Sequence, residues 1–162
     1  MTVDEGALRA EIEVFLAAHH TVSLATVDDE GAPHAANVLY AHDGLALYWM
    51  SNIETRHSRH IEARPRVTAT VAPDYADFRL IRGLQIFGAA RRLSGVESLK
   101  TAARMVSRYG FLAELAKGPA KLRAAFEMAG FYCLEPTLIT YIDNTRGFGH
   151  KETLELPGHR RH

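Results

Sequence analysis

Three apolar, β-branched runs follow one another with almost nothing between them. Thr21 to Val27 reads T-V-S-L-A-T-V, residues 33–41 centre on Val38, Leu39 and Tyr40, and residues 45–51 read L-A-L-Y-W-M-S. Asp28-Asp29-Glu30-Gly31 separates the first pair and His42-Asp43-Gly44 the second. Both connections have turn chemistry. Turns this short join only antiparallel neighbours. The segment therefore has to fold as a three-stranded meander, and the rest of the chain must be built around it.

The flanks supply helices and further strands. Thr2-Val3-Asp4-Glu5 has the form of a capping box with Thr2 as N-cap. Leu8, Ile12, Phe15 and Leu16 then recur at helical spacing, which predicts a one-sided helix over residues 4–18 that covers something apolar. A short helix over 54–63 precedes a fourth strand at 66–72. A long strand over 81–94 carries Gly83 and Gly88, the mark of a bulge or bend. Helices follow at 96–109, with Leu99, Ala103, Val106 and Tyr109 in register, at 111–117, and at 120–129, with Leu122, Phe126 and Ala129 on one face. A sixth strand spans 131–143 with Pro136 inside it, implying an edge or a bulge, and a last short one spans 151–156. Phe126, Phe131 and Tyr132 read as core. The fold class is mainly β with flanking helices (α+β): six or seven antiparallel strands closed into a small barrel. Residues 1–156 form one domain, and the final P-G-H-R-R-H, 157–162, reads as a disordered tail.

Composition removes several function classes. The chain has 162 residues, 47% of them hydrophobic, with 19 basic residues balanced by 19 acidic ones. That balance leaves no footprint for nucleic acid. Nine histidines turn the charge positive only below about pH 6.5. Cys133 is the single cysteine, which excludes an internal disulfide and a thiolate metal cluster. No apolar run approaches the roughly 20 residues that span a bilayer. The N-terminus lacks a signal-peptide core, so the expectation is a cytoplasmic protein with no membrane partner. Neither a G-x-S-x-G elbow nor a glycine-rich phosphate loop is present.

The stretch Trp49 to Val71, W-M-S-N-I-E-T-R-H-S-R-H-I-E-A-R-P-R-V-T-A-T-V, points to chemistry. Thr55, Arg56 and His57 sit where its helix begins. A helix start presents unpaired N–H groups and partial positive charge, which suit a phosphate, and Arg56 adds a fork of donors. A solvated basic surface helix is the alternative reading. His57-x-x-His60 has the spacing of a metal pair without a third ligand, and no metal site is assigned. Arg64-Pro65-Arg66 and Arg91-Arg92 are explained by a solvated strand edge.

Taken in order, T-V-S-L-A-T-V-D-D-E-G-A-P-H, W-M-S-N, T-R-H-S-R-H-I-E-A-R-P-R-V and I-F-G-A-A-R-R-L-S resemble the pyridoxamine 5′-phosphate oxidase-like, FMN-binding split-barrel superfamily. The third matches that family's serine-arginine-lysine helix start and its approach to the following strand. The tail Y-I-D-N-T-R-G-F-G-H is similar to a little-characterised bacterial branch. The resemblance implies a split β-barrel that holds FMN. It places Asn37, Val38, Leu39 and Tyr40 on the strand whose backbone runs along the flavin ring. Met50 and Ser51 fall at a tyrosine-threonine pair, and Gln85 near a ring-binding glutamine. It puts Arg56 at the phosphate, with Thr55 assisting and His57 in the place of a lysine. Ala36 and Ala41 stand where the oxidase has basic residues, and the oxidase's C-terminal tryptophan-arginine pattern is absent, so pyridoxamine 5′-phosphate is not the expected substrate.

The resemblance implies a flavin-dependent oxidoreductase acting on an unidentified small molecule, with no catalytic side chain assigned because the flavin carries the hydride chemistry. The alternative is a non-catalytic module that sequesters flavin, or haem through a histidine such as His150. A homodimer is expected, since split-barrel relatives complete each flavin site from the partner chain, and the aromatic-rich strand Leu45 to Met50 suits an interface. The loop Asn144 to His150 is expected to close over the cofactor cavity. Gly147 and Gly149 permit a tight path, Phe148 can cover a ring, and Arg146 can meet a phosphate.

Overall fold

The computed structural model describes residues 4–158. Seven strands form one antiparallel sheet: β1 (Thr21–Val27), β2 (Pro33–Asp43), β3 (Ala46–Asn52), β4 (Arg66–Val71), β5 (Arg82–Arg92), β6 (Ala129–Asp143) and β7 (Lys151–Glu155). Their order is β3-β2-β1-β4-β5-β6-β7, and β3 also pairs with β6, so six strands close into a barrel with β7 added outside. The two tight turns produce the meander the sequence demands. Thr21 pairs with Leu39 across the first hairpin and Tyr40 with Trp49 across the second.

The strand β6 is long enough to serve two partners on one edge. Its first half pairs with β3, ending at Leu134, and its second half pairs with β7, starting at Leu138. Pro136, which has no N–H to donate, falls in the gap between them. Opposite it the register of β5 slips between Phe87 and Gly88. A Cβ at Gly88 would collide with the carbonyl of Glu135, so glycine is what lets the backbones pass this closely.

Alternation in the strands turns Val22, Leu24, Leu47, Trp49, Leu84, Ile86 and Tyr132 into the barrel. The helix α1 (Glu5–Ala18) closes one end with Leu8, Ile12, Phe15 and Leu16. Its N-cap is Asp4, whose carboxylate accepts from the Gly6 and Ala7 N–H groups. Thr2, given that role by the capping-box reading, lies outside the described residues. Of the tail read as disordered, Pro157 and Gly158 form a turn, and the remainder lies outside the described residues.

Two helical faces differ from the reading by spacing. The helix α3 (Gly95–Arg108) buries Thr101 and Met105, while Leu99 stays 72% exposed and Val96 and Val106 face outward. Polar contacts set its rotation. Arg108 donates to the carbonyls of Leu16, Ala17 and His19, Tyr109 donates to those of Tyr40 and His20, and Arg104 pairs with Asp43 at 2.6 Å and lies over the Tyr48 ring. The short α4 (Phe111–Leu115) follows. The helix α5 (Ala120–Glu127) buries none of its residues, and Ala129 has become the first residue of β6. Tyr132 is core, while Phe126 and Phe131 are only half-buried.

The strand Leu45 to Met50 is not free to form an interface. Leu45, Leu47 and Trp49 fill the barrel, and on the other side Ala41, Met105, Tyr109 and Leu112 make a second apolar cluster on which Met50 packs. The exposed sheet lies elsewhere. Asn37, Ser23, Thr70, Gln85 and Thr140 form one cross-strand row, and Ala35, Ala25, Thr68, Phe87 and Leu138 the next. Neither row carries a charge. Among the described residues no helix is long and apolar enough to cross a membrane.

Candidate functional site

The helix α2 (Arg56–Ala63) starts where β3 leaves the barrel, and hydroxyl groups build the corner. Asn52 accepts from the Glu54 N–H at 2.8 Å, its carbonyl accepts from the Thr55 and Ser58 hydroxyls, and Thr55 is the N-cap, receiving the Ser58 N–H. Pro65 prevents continuation, and β4 begins at Arg66. Ile61 and Ser58 anchor the inner face.

Arg56 stands at the first position of this helix, exposed, and makes no hydrogen bond or ion pair among the described residues. His57 has the opposite character. It is only 7% exposed, and its Nε2 is bonded to Ser51 Oγ at 2.9 Å and lies 3.2 Å from Thr55 Oγ1. Burial, and then the neighbouring His34 and His60, hold its imidazole below the ordinary value. It is therefore neutral near pH 7 and braces the helix start instead of standing in for a lysine. Ser51 is committed to that brace. His60 Nδ1 is bonded to Thr26 Oγ1 at 2.9 Å. No group of three metal-ligating side chains occurs among the described residues.

On β2, Asn37 and Leu39 face outward, and Asn37 accepts a short hydrogen bond from Ser23 Oγ. Val38 leans on the core, and Tyr40 is fully buried with its hydroxyl donating to the Leu16 carbonyl at 2.8 Å. Neither offers a ligand a side chain, and the Tyr40 backbone is already engaged, its N–H donating to the His20 carbonyl and its carbonyl accepting from the Tyr109 hydroxyl. Ala36 is half-buried, and Ala41 is 1% exposed beneath α3 and α4. A basic side chain at 41 would have no room, which is the physical reason that the charge there is absent. Gln85 is exposed in the middle of the uncharged face, between Thr70 and Thr140.

A groove of about 1140 Å³ crosses that face, lined by Ala25, Val27, Pro33, Arg66, Thr68, Phe87, Gly88, Ala89, Thr137, Leu138 and neighbours. It reaches the α2 end of the barrel through Thr26, the partner of His60. Its described lining holds no imidazole, thiol, thioether or phenol. Burial pushes the Cys133 thiol up to about 11, so it is no nucleophile.

Arg146 and Phe148 lie at the other end of the same chain. Asp143 pairs with Arg82 at the start of β5, whereas Arg92 at its end meets Glu62 of α2. Arg146 is bound to Glu11 at 2.7 Å, Glu152 at 3.1 Å and the buried Asp143 at 3.3 Å, and it lines a smaller cavity of about 420 Å³ beside Phe15, His19 and Tyr141. Phe148 is 85% exposed and meets Phe78 edge-on. His150 lies 3.6 Å from Glu152. The basic pairs are mostly surface bridges: Arg64 with Asp29, Arg91 with Glu97, and Arg92 with Glu62.

The sequence reading missed His34. Its ring stands 6.5 Å from His57 and parallel to it, and 5.8 Å from His60, edge-on. Strand parity was a usable signal, since 34 shares a face with 36, 38 and 40, and hairpin register sets it beside Thr26.

The outer surface fits a flavin in part. The two central rows of the face carry no charge, and α2 at one end presents Arg56 and Arg59 with no side-chain partner among the described residues. Solved structures support the fold. A haem-binding protein from Mycobacterium smegmatis superposes with a TM-score of 0.71 at 21% identity over 91% of this chain, which spans 57% of that longer one. An FAD-binding protein from Mesorhizobium loti gives 0.61 at 19% identity, over 82% of this chain and 91% of its own. An uncharacterised-family (UPF0306) protein of Klebsiella pneumoniae is 33% identical over 143 residues, 88% of this chain and 89% of its own. A family model described as pyridoxamine 5′-phosphate oxidase matches residues 8–141, and with the closed barrel and its α2 corner already in view, this chain belongs to that family.

Proposed function

We propose that the protein binds FMN and acts as a flavin-dependent oxidoreductase on a small molecule other than pyridoxamine 5′-phosphate. The observation that carries this reading is Arg56, an arginine at the start of α2 with no side-chain partner among the described residues, at the barrel end that the large groove reaches. Arg56 and the free N–H groups of the helix start hold the phosphate. Asn37, Leu39 and Gln85 present the outer-face side chains toward the ring, with Val38 and Tyr40 holding their strand against the core, and Met50 and Thr55 border the site. When bound, flavin supplies the hydride chemistry, and the chain orients and encloses it.

The reading includes a homodimer. The two uncharged rows across β2, β1, β4, β5 and β6 form a broad face of the kind that pairs with a second copy. Haem is the second reading, favoured by the haem-binding structural neighbour. The groove lining, which holds no axial ligand among the described residues, supports a ring held by contact and hydrogen bonding over one held by a metal bond.

The absorbance spectrum of purified protein separates the readings. Bands near roughly 370 and 450 nm that bleach with NADPH support the flavoenzyme, and an intense band near roughly 410 nm supports haem. Sedimentation as an 18.0 kDa species at micromolar concentration overturns the dimer.

A further inference from the structure

Three imidazoles meet between the β1–β2 hairpin and α2. His34 enters from β2, His57 and His60 from the buried side of the helix, with ring centroids 6.5 Å apart for His34 and His57 and 5.8 Å for His34 and His60. His57 and His60 tie α2 to the barrel through Ser51 and Thr26, beside the Ser58 bond to the Asn52 carbonyl and the Glu62–Arg92 bridge. Thr26 is itself buried. The ties join imidazole to hydroxyl, so they suit the neutral ring as well as the charged one.

The charged groups around the cluster offset it only in part, through Asp28 acting on His60. From α2 come Arg56, Arg59 and Glu62, and Glu62 faces Arg92 of β5 at 3.7 Å. From the β1–β2 turn come Asp28 and Asp29. The Asp28 carboxylate accepts the Glu30 and Ala32 N–H groups, and Asp29 pairs with Arg64 at 3.5 Å. No carboxylate is hydrogen bonded to any of the three rings among the described residues. A proton added at His57 meets the other two imidazoles, and only His60 has a carboxylate, Asp28, acting on it.

We propose that His34, His57 and His60 form a proton-operated latch that holds the start of α2 in place while neutral and releases it when protonated. The depressed His57 value fixes the sign. A histidine that binds its proton less readily in the folded state leaves full stability above its unfolded value near 6.5, and that stability is lost as pH falls through and below it. The latch concerns the same site as the proposed FMN reading, and rests on it only for the consequence at the phosphate. Acidification adds positive charge, which alone would tighten an anion. Loosening the helix start that carries Arg56 and the N–H groups works the other way and dominates.

Hydrogen exchange on the ligand-free protein tests the latch without reference to any ligand. Protection factors in α2 should fall at least about tenfold from about pH 7.5 to about pH 5.5, while those of β4 and β5 change less than about twofold. His34→Gln, which removes a like neighbour and no hydrogen bond, should reduce the α2 change to about threefold or less. Titration of the wild-type imidazoles by NMR is the second readout, and at least one should titrate well below the ordinary range. Protection independent of pH, or three ordinary and independent titrations, overturns the latch. FMN titration at the two pH values then separates the claims. Affinity at least about threefold weaker at the lower pH supports control of the site, tighter binding there overturns that control, and no FMN binding at either pH with the exchange change intact overturns the FMN reading alone.

Discussion

The two ends of the barrel each carry an arginine that the sequence marks as a phosphate contact, and they use it differently. At one end Arg146 is held by Glu11, Asp143 and Glu152. Its charge is committed to tying the β6–β7 loop to α1 and to satisfying a buried carboxylate. At the other, Arg56 has no acidic neighbour bound to it among the described residues and projects from a helix start whose hydroxyls and imidazoles hold one another. An arginine already neutralised by the protein has little to offer a ligand. A free one over a set of polar ties is where an anion gains most.

Putting the family's missing cation back on β2 is the largest perturbation. Ala41→Lys forces an ammonium beneath α3 and α4, against Met105, Tyr109 and Leu112, and should cost about 3–5 kcal/mol or displace α3, seen as a lowered denaturation midpoint. Next is the central contrast. Arg56→Ala should weaken FMN by about tenfold to a hundredfold, or about 1.5–3 kcal/mol, with stability unchanged within about 0.5 kcal/mol. Arg146→Ala should do the reverse, losing about 1–2 kcal/mol of stability because the buried Asp143 loses its ion pair and keeps only the more distant Arg82, with FMN affinity within about twofold. Equal behaviour of the two variants in urea melts and FMN titrations would dissolve the distinction between the ends. Thr55→Ala, which removes the N-cap, should cost about 1 kcal/mol and weaken FMN severalfold. Arg64→Ala, which loses an exposed bridge to Asp29, should change stability by less than about 0.5 kcal/mol and leave FMN binding alone.

Much of the fold was legible because it is set locally. Turn chemistry at Asp28–Gly31 and His42–Gly44 fixed the meander, and α1 buries the four residues its spacing selects. The α3 face was not legible, because Arg104, Arg108 and Tyr109 rotate it through partners far away in sequence. The site was legible where the backbone makes it, at the Thr55 cap and Arg56. It was obscured where tertiary contacts decide: His57 is a buried brace, Ala41 is roofed by helices, and Arg146 is claimed by acids from three different elements. His34 needed only strand parity and hairpin register, which a motif-based reading does not consult.

The central claim is that this chain holds a flavin phosphate through Arg56. Fluorescence titration of FMN and riboflavin, which differ only in that phosphate, against wild type and Arg56→Ala near pH 7.5 tests it most directly. The account predicts that wild type prefers FMN by about tenfold or more and that Arg56→Ala loses most of the preference. Equal wild-type affinities for the two flavins, or a preference that survives the substitution, would contradict it.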